Sequence, residues 1–173
     1  MSPPASLLER AIRIAVDAHA GQVYPSPVPE PYVLHPLRVM AAVEDEAGRV
    51  AAVLHDVVED TDITLDDLGG AGIPPDILRT LDCLTRRTGE EYSAYITRVA
   101  TDPTAIRVKI ADLEDNLGNN RDLPRSPDVE ARVRRYEDAL RFLLPRSSTA
   151  PGPSSGAAEP WSERPAAPRL TPG

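Results

Sequence analysis

The stretch Val53-Leu54-His55-Asp56-Val57-Val58-Glu59-Asp60-Thr61 carries the strongest structural signal in the chain. On a helix, positions i, i+1, i+4 and i+5 fall within an arc of about 140°. A helix therefore gathers the polar residues of this stretch on one face and leaves the apolar residues to cover much of the other. The polar set is His55, Asp56, Glu59 and Asp60. The pattern predicts a helix from Arg49 to about Asp60.

The polar face of this predicted helix is a candidate metal site. Two carboxylates beside a His-Asp pair repel one another, and the helix alone gains nothing from the arrangement. A divalent cation removes that conflict, and imidazole with carboxylate is a suitable ligand set for such an ion. A solvated acidic face is the alternative, but the apolar residues around His55 and Asp56 favour the metal.

A second polar stripe lies near residue 110. Lys109, Asp112 and Asn116 recur at i, i+3 and i+7 beside an apolar stripe, which predicts a helix lining a pocket. The apolar stripe consists of Ile106, Ile110, Leu113 and Leu117. Considered alone, a boundary of solvated polar residues is an equal alternative. Lys109 either neutralises phosphate charge or pairs with a nearby acid.

Helical signals dominate the first 48 residues as well. Apolar residues spaced by 4, 3 and 4 predict a first helix ending near His19, which we expect to be a core histidine. The Pro-rich stretch from Tyr24 to Pro31 predicts a loop. A second helix is predicted from His35-Pro36 to about Glu46, and Gly48 is predicted to separate it from the next.

The later helices are predicted from their first residues. Thr64 resembles the start of a capping box. Further starts are predicted near Pro75, near Glu90, at Asp102-Pro103 and at Ser126-Pro127. No segment shows sustained period-2 alternation, so we expect an irregular all-α domain over residues 1–144. Residues 145–173, rich in Pro, Ser, Ala and Gly, predict a disordered tail.

Composition limits the classes of partner and compartment. The net charge of −8 argues against a nucleic-acid surface, which needs a basic patch. A small anionic substrate remains compatible, because a bound cation and a few arginines can reverse the field locally. The single cysteine, Cys83, permits no internal disulfide and favours a cytoplasmic protein. No stretch approaches the roughly 20 apolar residues of a membrane span.

The ordered set His35, His55-Asp56 and Asp112 resembles the H…HD…D signature of the HD superfamily. Longer strings resemble the hydrolase domain of the Rel/Spo alarmone enzymes and their small stand-alone relatives. These strings are 18–22, 31–36, 54–61 and 109–112, and the match runs in order from about residue 5 to residue 140. The resemblance implies an irregular HD-domain helical bundle.

The resemblance also implies roles for individual residues. In that family two His and two Asp bind one Mn²⁺, a Glu-Asp pair activates the attacking water, and an Asn helps to hold the nucleotide. By motif position the metal ligands are His35, His55, Asp56 and Asp112. Glu59 and Asp60 then activate water, and Asn116 contacts the substrate. The implied reaction removes the 3′-pyrophosphate from guanosine tetra- or pentaphosphate.

The chain departs from the family where the nucleotide would bind. An Arg-Lys pair usually follows the Gly-Gln, whereas residues 23–30 here contain no basic residue. Tyr24 either stacks on a base or is an exposed loop residue. Arg86 and Arg87 either replace the lost cations or belong to the surface. These departures leave two alternatives open: an HD phosphohydrolase for a different nucleotide or phosphorylated cofactor, or a non-catalytic nucleotide-binding regulator.

Overall fold

The computed structural model describes residues 5–147, without the side chain of Arg121. Within these residues the chain folds into helices joined by short turns, plus one two-stranded hairpin. The helices are α1 (Leu7–Ala18), α2 (Leu34–Ala41), α3 (Glu46–Leu54), α4 (Val57–Asp60), α5 (Leu65–Gly70), α6 (Pro75–Leu84), α7 (Tyr92–Val99), α8 (Pro103–Arg121) and α9 (Pro127–Ser147). The predicted all-α bundle is confirmed.

Helix α3 lies at the centre of the bundle. It packs against α1, α2, α6 and α8, and every side chain from Val50 to Leu54 is fully buried. Helix α8 packs in turn against α2, α3, α6 and α9. The start of α2, the end of α3 and the middle of α8 therefore meet inside the domain, which brings residues distant in sequence together.

The boundary between α2 and α3 differs from the prediction. Helix α2 ends at Ala41, and α3 begins at Glu46 because the Asp45 carboxylate caps it, accepting the N–H of Gly48 at 2.8 Å. Gly48 is thus a buried residue of the first turn of α3 and does not separate two helices. A Cβ at this position would meet Cγ1 of Val43 at 2.6 Å, so close packing requires glycine.

The predicted caps of two later helices are confirmed. Thr64 and Asp67 form a reciprocal capping box at the start of α5. The Asp102 carboxylate accepts the N–H groups of Thr104 and Ala105, each at 2.8 Å, at the start of α8.

The prediction of one continuous helix from residue 49 to residue 60 is wrong. Helix α3 ends at Leu54 and α4 starts at Val57, with His55 and Asp56 in a turn between them. Nδ1 of His55 lies 2.7 Å from the carbonyl oxygen of Ala52. An uninterrupted helix would direct the N–H of Asp56 to that same oxygen, so the imidazole competes with the backbone ladder.

The predicted loop after α1 contains a minimal antiparallel hairpin. Strand β1 (Val23–Tyr24) pairs with β2 (Glu30–Pro31), in the register Val23 to Pro31 and Tyr24 to Glu30. Strands of two residues are too short to produce an alternating pattern in the sequence. The hairpin turns Tyr24 inward and leaves it only 4% exposed, so the reading of Tyr24 as an exposed loop residue is wrong.

The last helix extends past the predicted start of the tail. Helix α9 continues through Ser147, with Pro145 in its last turn, three residues beyond Leu144. Residues 148–173, which make up the rest of the predicted disordered tail, lie outside the described residues. Across 5–147, no helix combines the length and apolar character needed to cross a bilayer.

Candidate metal centre

Four side chains from three parts of the fold converge at one point. His35 comes from the first turn of α2, His55 and Asp56 from the turn between α3 and α4, and Asp112 from the middle of α8. Nε2 of His35 lies 3.1 Å from Oδ1 of Asp112 and 3.5 Å from Oδ2 of Asp56. Nε2 of His55 lies 3.1 Å from Oδ1 of Asp56 and 3.6 Å from Oδ1 of Asp112. The structure thus brings all four predicted ligands together.

Both imidazoles turn Nε2 toward this cluster. Their other nitrogen faces an acceptor at 2.7 Å, namely Oδ2 of Asp115 for His35 and the carbonyl of Ala52 for His55. Nδ1 therefore carries the proton, as it does in most metal-ligating histidines. Nε2 of His55 is buried and makes no hydrogen bond within the described part of the chain.

The donor set fits a divalent cation. One ligand atom each from His35, His55 and Asp56 lies within 4.8 Å of the others, and Asp112 adds a second carboxylate. A buried nitrogen that faces two carboxylates without a hydrogen bond is an orphan that a metal ion would satisfy. The cluster is therefore a candidate metal-binding site.

Electrostatics favour positive charge at the centre of the cluster. Burial lowers the pKa of both imidazoles, but the neighbouring carboxylates outweigh this effect. Hydrogen bonds to Asp112 and Asp115 raise the pKa of His35 to about 10, and Asp56 and Asp112 raise the pKa of His55. Burial likewise opposes ionisation of Asp112, yet Lys109 and the two histidines hold its pKa well below the ordinary value. The carboxylates around the two imidazoles therefore favour a cation at this point, such as a divalent metal ion.

Asp115 is a site residue that the sequence analysis did not single out. Besides holding Nδ1 of His35, its carboxylate accepts Nε of Arg38 at 2.6 Å and Nη2 at 3.1 Å. Arg38 also donates to Glu30 of β2 at 2.7 Å, so the hairpin supports the same contact. The available signal was its i+3 spacing from Asp112, which puts both residues on one face of α8.

The candidate water-activating pair follows the cluster on α4. Glu59 lies at the surface and accepts the backbone N–H of Arg86 at 3.0 Å. Desolvation of the Glu59 carboxylate raises its pKa, with the Arg86 N–H opposing the shift. The Asp60 carboxylate accepts a hydrogen bond from the hydroxyl of Tyr32 at 2.7 Å. Both carboxylates stand within one helical turn of Asp56.

Three of the predicted substrate contacts form hydrogen bonds within the protein: Lys109 and Asn116 on α8, and Tyr24 on β1. Nζ of Lys109 donates to Oδ2 of Asp112 at 2.6 Å, which is the acid-pairing alternative for this lysine. The amide of Asn116 donates to Oδ1 of Asp112 at 2.6 Å. The Tyr24 hydroxyl donates to Oδ1 of Asn116 at 2.8 Å, and its ring stacks on His35 at 4.9 Å. Lys109, Asn116 and Tyr24 therefore surround the cluster and orient its members.

The two candidate arginines differ in position. The backbone of Arg86 contacts Glu59, and its guanidinium donates to the carbonyl of Glu90 and lies 5.7 Å from the Tyr92 ring. The guanidinium of Arg87 instead pairs with Asp82 at 3.4 Å. The structure brings the backbone of Arg86 next to Glu59, whereas the guanidinium of Arg87 pairs with Asp82 on α6.

An open cleft of about 720 Å³ runs beside Asp115 between the hairpin and α8. Four carboxylates line it: Glu30, Glu114, Asp115 and Asp122. Among the described side chains that line it, Arg38 is the one cation, and it is already paired with Glu30 and Asp115. This side of the cluster therefore carries negative charge.

The chain resembles known proteins in sequence over most of its length. No family model matches the chain. It is 36% identical over 153 residues to a probable GTP pyrophosphokinase of Mycobacterium leprae, covering 81% of this chain and 19% of that protein. It is 33% identical over 157 residues to a guanosine-3′,5′-bis(diphosphate) 3′-pyrophosphohydrolase of Vibrio cholerae, covering 83% and 21%. The chain spans about a fifth of the length of these curated relatives.

A solved structure has a similar fold over nearly its whole length. It belongs to a metazoan ortholog of SpoT, described as hydrolysing ppGpp and playing a role in starvation responses. The TM-score is 0.69 with 25% sequence identity, and the match covers 83% of this chain and 88% of that one.

Proposed function

Because the chain carries a Rel/Spo hydrolase-like domain, we propose that it is a metal-dependent phosphohydrolase that removes the 3′-pyrophosphate from guanosine tetra- or pentaphosphate. The observation that carries this proposal is the convergence of His35, His55, Asp56 and Asp112, with two carboxylates one turn away on α4. The proposed substrate is thus a small anionic nucleotide. The cytoplasmic location expected from the sequence stays a prediction.

The four converging residues would hold one divalent ion, for which we propose Mn²⁺. Imidazole and carboxylate donors without thiolate suit this ion. When bound, the ion polarises a phosphoryl oxygen and acidifies the attacking water. Asp115 and the carbonyl of Ala52 keep both imidazoles in the tautomer that presents Nε2 to the ion.

Glu59 and Asp60 would remove the proton from the attacking water. A base works best when its pKa lies near the working pH, and the raised pKa of Glu59 moves in that direction. The backbone N–H of Arg86 holds the Glu59 carboxylate in place. Bases of this kind contribute a rate factor of about 10² to 10⁴.

The proposal is tested by product analysis. Metal-loaded protein is incubated with guanosine tetraphosphate, and the products are separated by anion-exchange chromatography. We expect release of pyrophosphate and GDP by the wild type and a loss of at least about 100-fold in Glu59→Gln. Glu44→Gln, which changes an exposed carboxylate outside the cluster, is the matched control and should keep wild-type activity. No release by the Mn²⁺-loaded wild type overturns the proposal.

A second candidate keeps the mechanism and changes the substrate. The acidic cleft beside Asp115 and the engagement of Tyr24 with Asn116 disfavour a polyanionic guanine nucleotide on that side of the cluster. The alternative substrate is then another phosphorylated nucleotide or cofactor, one that places less negative charge against this cleft. A panel of such compounds, assayed with the same Glu59→Gln control, distinguishes this candidate from the first. Tight nucleotide binding without any product would indicate a non-catalytic regulator.

A further inference from the structure

Tyr32 lies between the hairpin and α2, and its backbone ties it to both. Its N–H donates to the carbonyl of Gln22 at 3.0 Å, and its carbonyl accepts the N–H of His35 at 3.0 Å. The residue is therefore anchored directly beside one member of the metal cluster. A shift of Tyr32 would move the first turn of α2 with it.

The ring of Tyr32 is clamped on several sides. It stacks on His19 with ring centroids 4.8 Å apart and an interplanar angle of 28°. Tyr24 and His35 meet it edge-on at 5.7 and 6.2 Å. Such packing around an aromatic ring leaves the hydroxyl a single position.

The hydroxyl of Tyr32 contacts two carboxylates with different proposed roles. Its oxygen lies 2.9 Å from Oδ2 of Asp56, a candidate metal ligand, and 2.7 Å from Oδ2 of Asp60, a candidate base. A phenol has one proton, so it donates to one of these oxygens at a time and couples the orientation of both side chains.

The same segment also holds the backbone of Asp60. The side-chain amide of Gln22 donates to the Asp60 carbonyl at 3.1 Å, and Nδ1 of His19 contacts Oε1 of Gln22 at 2.8 Å. The turn that follows α1 thus holds the last residue of α4 through Gln22, and it holds the ring of Tyr32 through His19. This contact gives the buried His19 a role beyond packing.

From these contacts we propose that Tyr32 is a positioning residue that aligns the metal ligand Asp56 with the base Asp60. It acts through these two carboxylates. This inference rests on the proposed function for the role of Asp60, but its effect on Asp56 concerns metal binding alone.

The test removes only the hydroxyl, in Tyr32→Phe, which keeps the stacked ring. Partners of this kind behind a metal ligand are worth about 10- to 100-fold in metal affinity or activity. We expect the Kd for Mn²⁺, measured by calorimetric titration without nucleotide, to rise about tenfold. We expect kcat to fall with KM unchanged, because the hydroxyl touches the base and not the substrate. The far-UV circular dichroism spectrum of the metal-free variant should match that of the wild type.

Thr80→Val is the matched control. The buried hydroxyl of Thr80 likewise donates to a carboxylate, Oδ2 of Asp102 at 3.1 Å, but at the start of α8 and away from Asp56 and Asp60. This variant should keep the wild-type Kd for Mn²⁺. Wild-type Mn²⁺ affinity in Tyr32→Phe, or an equal loss in both variants, overturns the proposal. Failure of the wild type to hydrolyse guanosine tetraphosphate overturns the proposed substrate only, since the Mn²⁺ titration still decides the role of Tyr32.

Discussion

Asp115 offers a quantitative test of how the metal cluster is supported. Its carboxylate holds Nδ1 of His35 at 2.7 Å and is itself held by two nitrogens of Arg38. Asp115→Asn keeps an oxygen acceptor but removes the negative charge. Asp115→Leu removes the acceptor as well, so Nδ1 of His35 loses its partner and Arg38 keeps Glu30 as its ion-pair partner.

The expected magnitudes follow from these contacts. Loss of a partner behind a metal-ligating histidine typically costs about 10- to 100-fold in metal affinity. We expect the Kd for Mn²⁺ to rise about tenfold in Asp115→Asn, because a neutral acceptor can still fix the tautomer. We expect about 100-fold in Asp115→Leu, which corresponds to about 2.7 kcal/mol.

Calorimetric titration of metal-free protein with Mn²⁺ measures this series. Glu114→Gln is the control, because Glu114 is the exposed neighbour of Asp115 on α8. If the Kd of Asp115→Leu for Mn²⁺ equals that of the wild type, the reasoning is refuted, since the carboxylate then has no part in orienting His35. Equal effects in Glu114→Gln would refute it too, by showing that only the charge of the cleft matters.

Three further predictions concern charge and metal. Removal of metal with EDTA should lower the thermal midpoint, and excess Mn²⁺ should restore it in a concentration-dependent way. Lys109→Met should destabilise the metal-free protein by about 3 kcal/mol in urea unfolding, because the buried Asp112 loses its ion pair with Nζ of Lys109 at 2.6 Å. Mn²⁺ should recover more stability in this variant than in the wild type. Asp45→Ala should cost about 1 kcal/mol at pH 7 through loss of the α3 cap. Partial burial raises the pKa of Asp45, but the Gly48 N–H and Arg107 outweigh this effect and hold that pKa below its ordinary value. The stabilisation is therefore present above about pH 4 and lost as pH falls through the folded-state pKa, so wild type and variant should converge in urea unfolding at low pH.

Much of the helical framework follows from local sequence. The caps at Thr64 and Asp102 and the start at Pro75 all lie where they were predicted. Each depends on contacts within three or four residues, which a sequence displays directly. The polar stripe of α8 was likewise visible, because its spacing matches a helical face, and the His-Asp pair was visible because it matches a known family pattern.

Other features depended on contacts between distant residues. The turn at His55 arises because its side chain takes the carbonyl of Ala52, an outcome that helical periodicity does not reveal. The burial of Tyr24 needs a hairpin whose strands have two residues each, too few for an alternating pattern.

By itself, the sequence indicated most helix starts and the caps at Thr64 and Asp102, since these rest on local spacing, and the resemblance to the Rel/Spo hydrolase domain indicated the candidate ligands. Only the tertiary structure decided what supports the ligands. Asp115 meets His35 across 80 residues, and Tyr32 meets Asp56 across 24. Such pairs form because α2, α3 and α8 pack together in the core, and packing is a property of the whole chain.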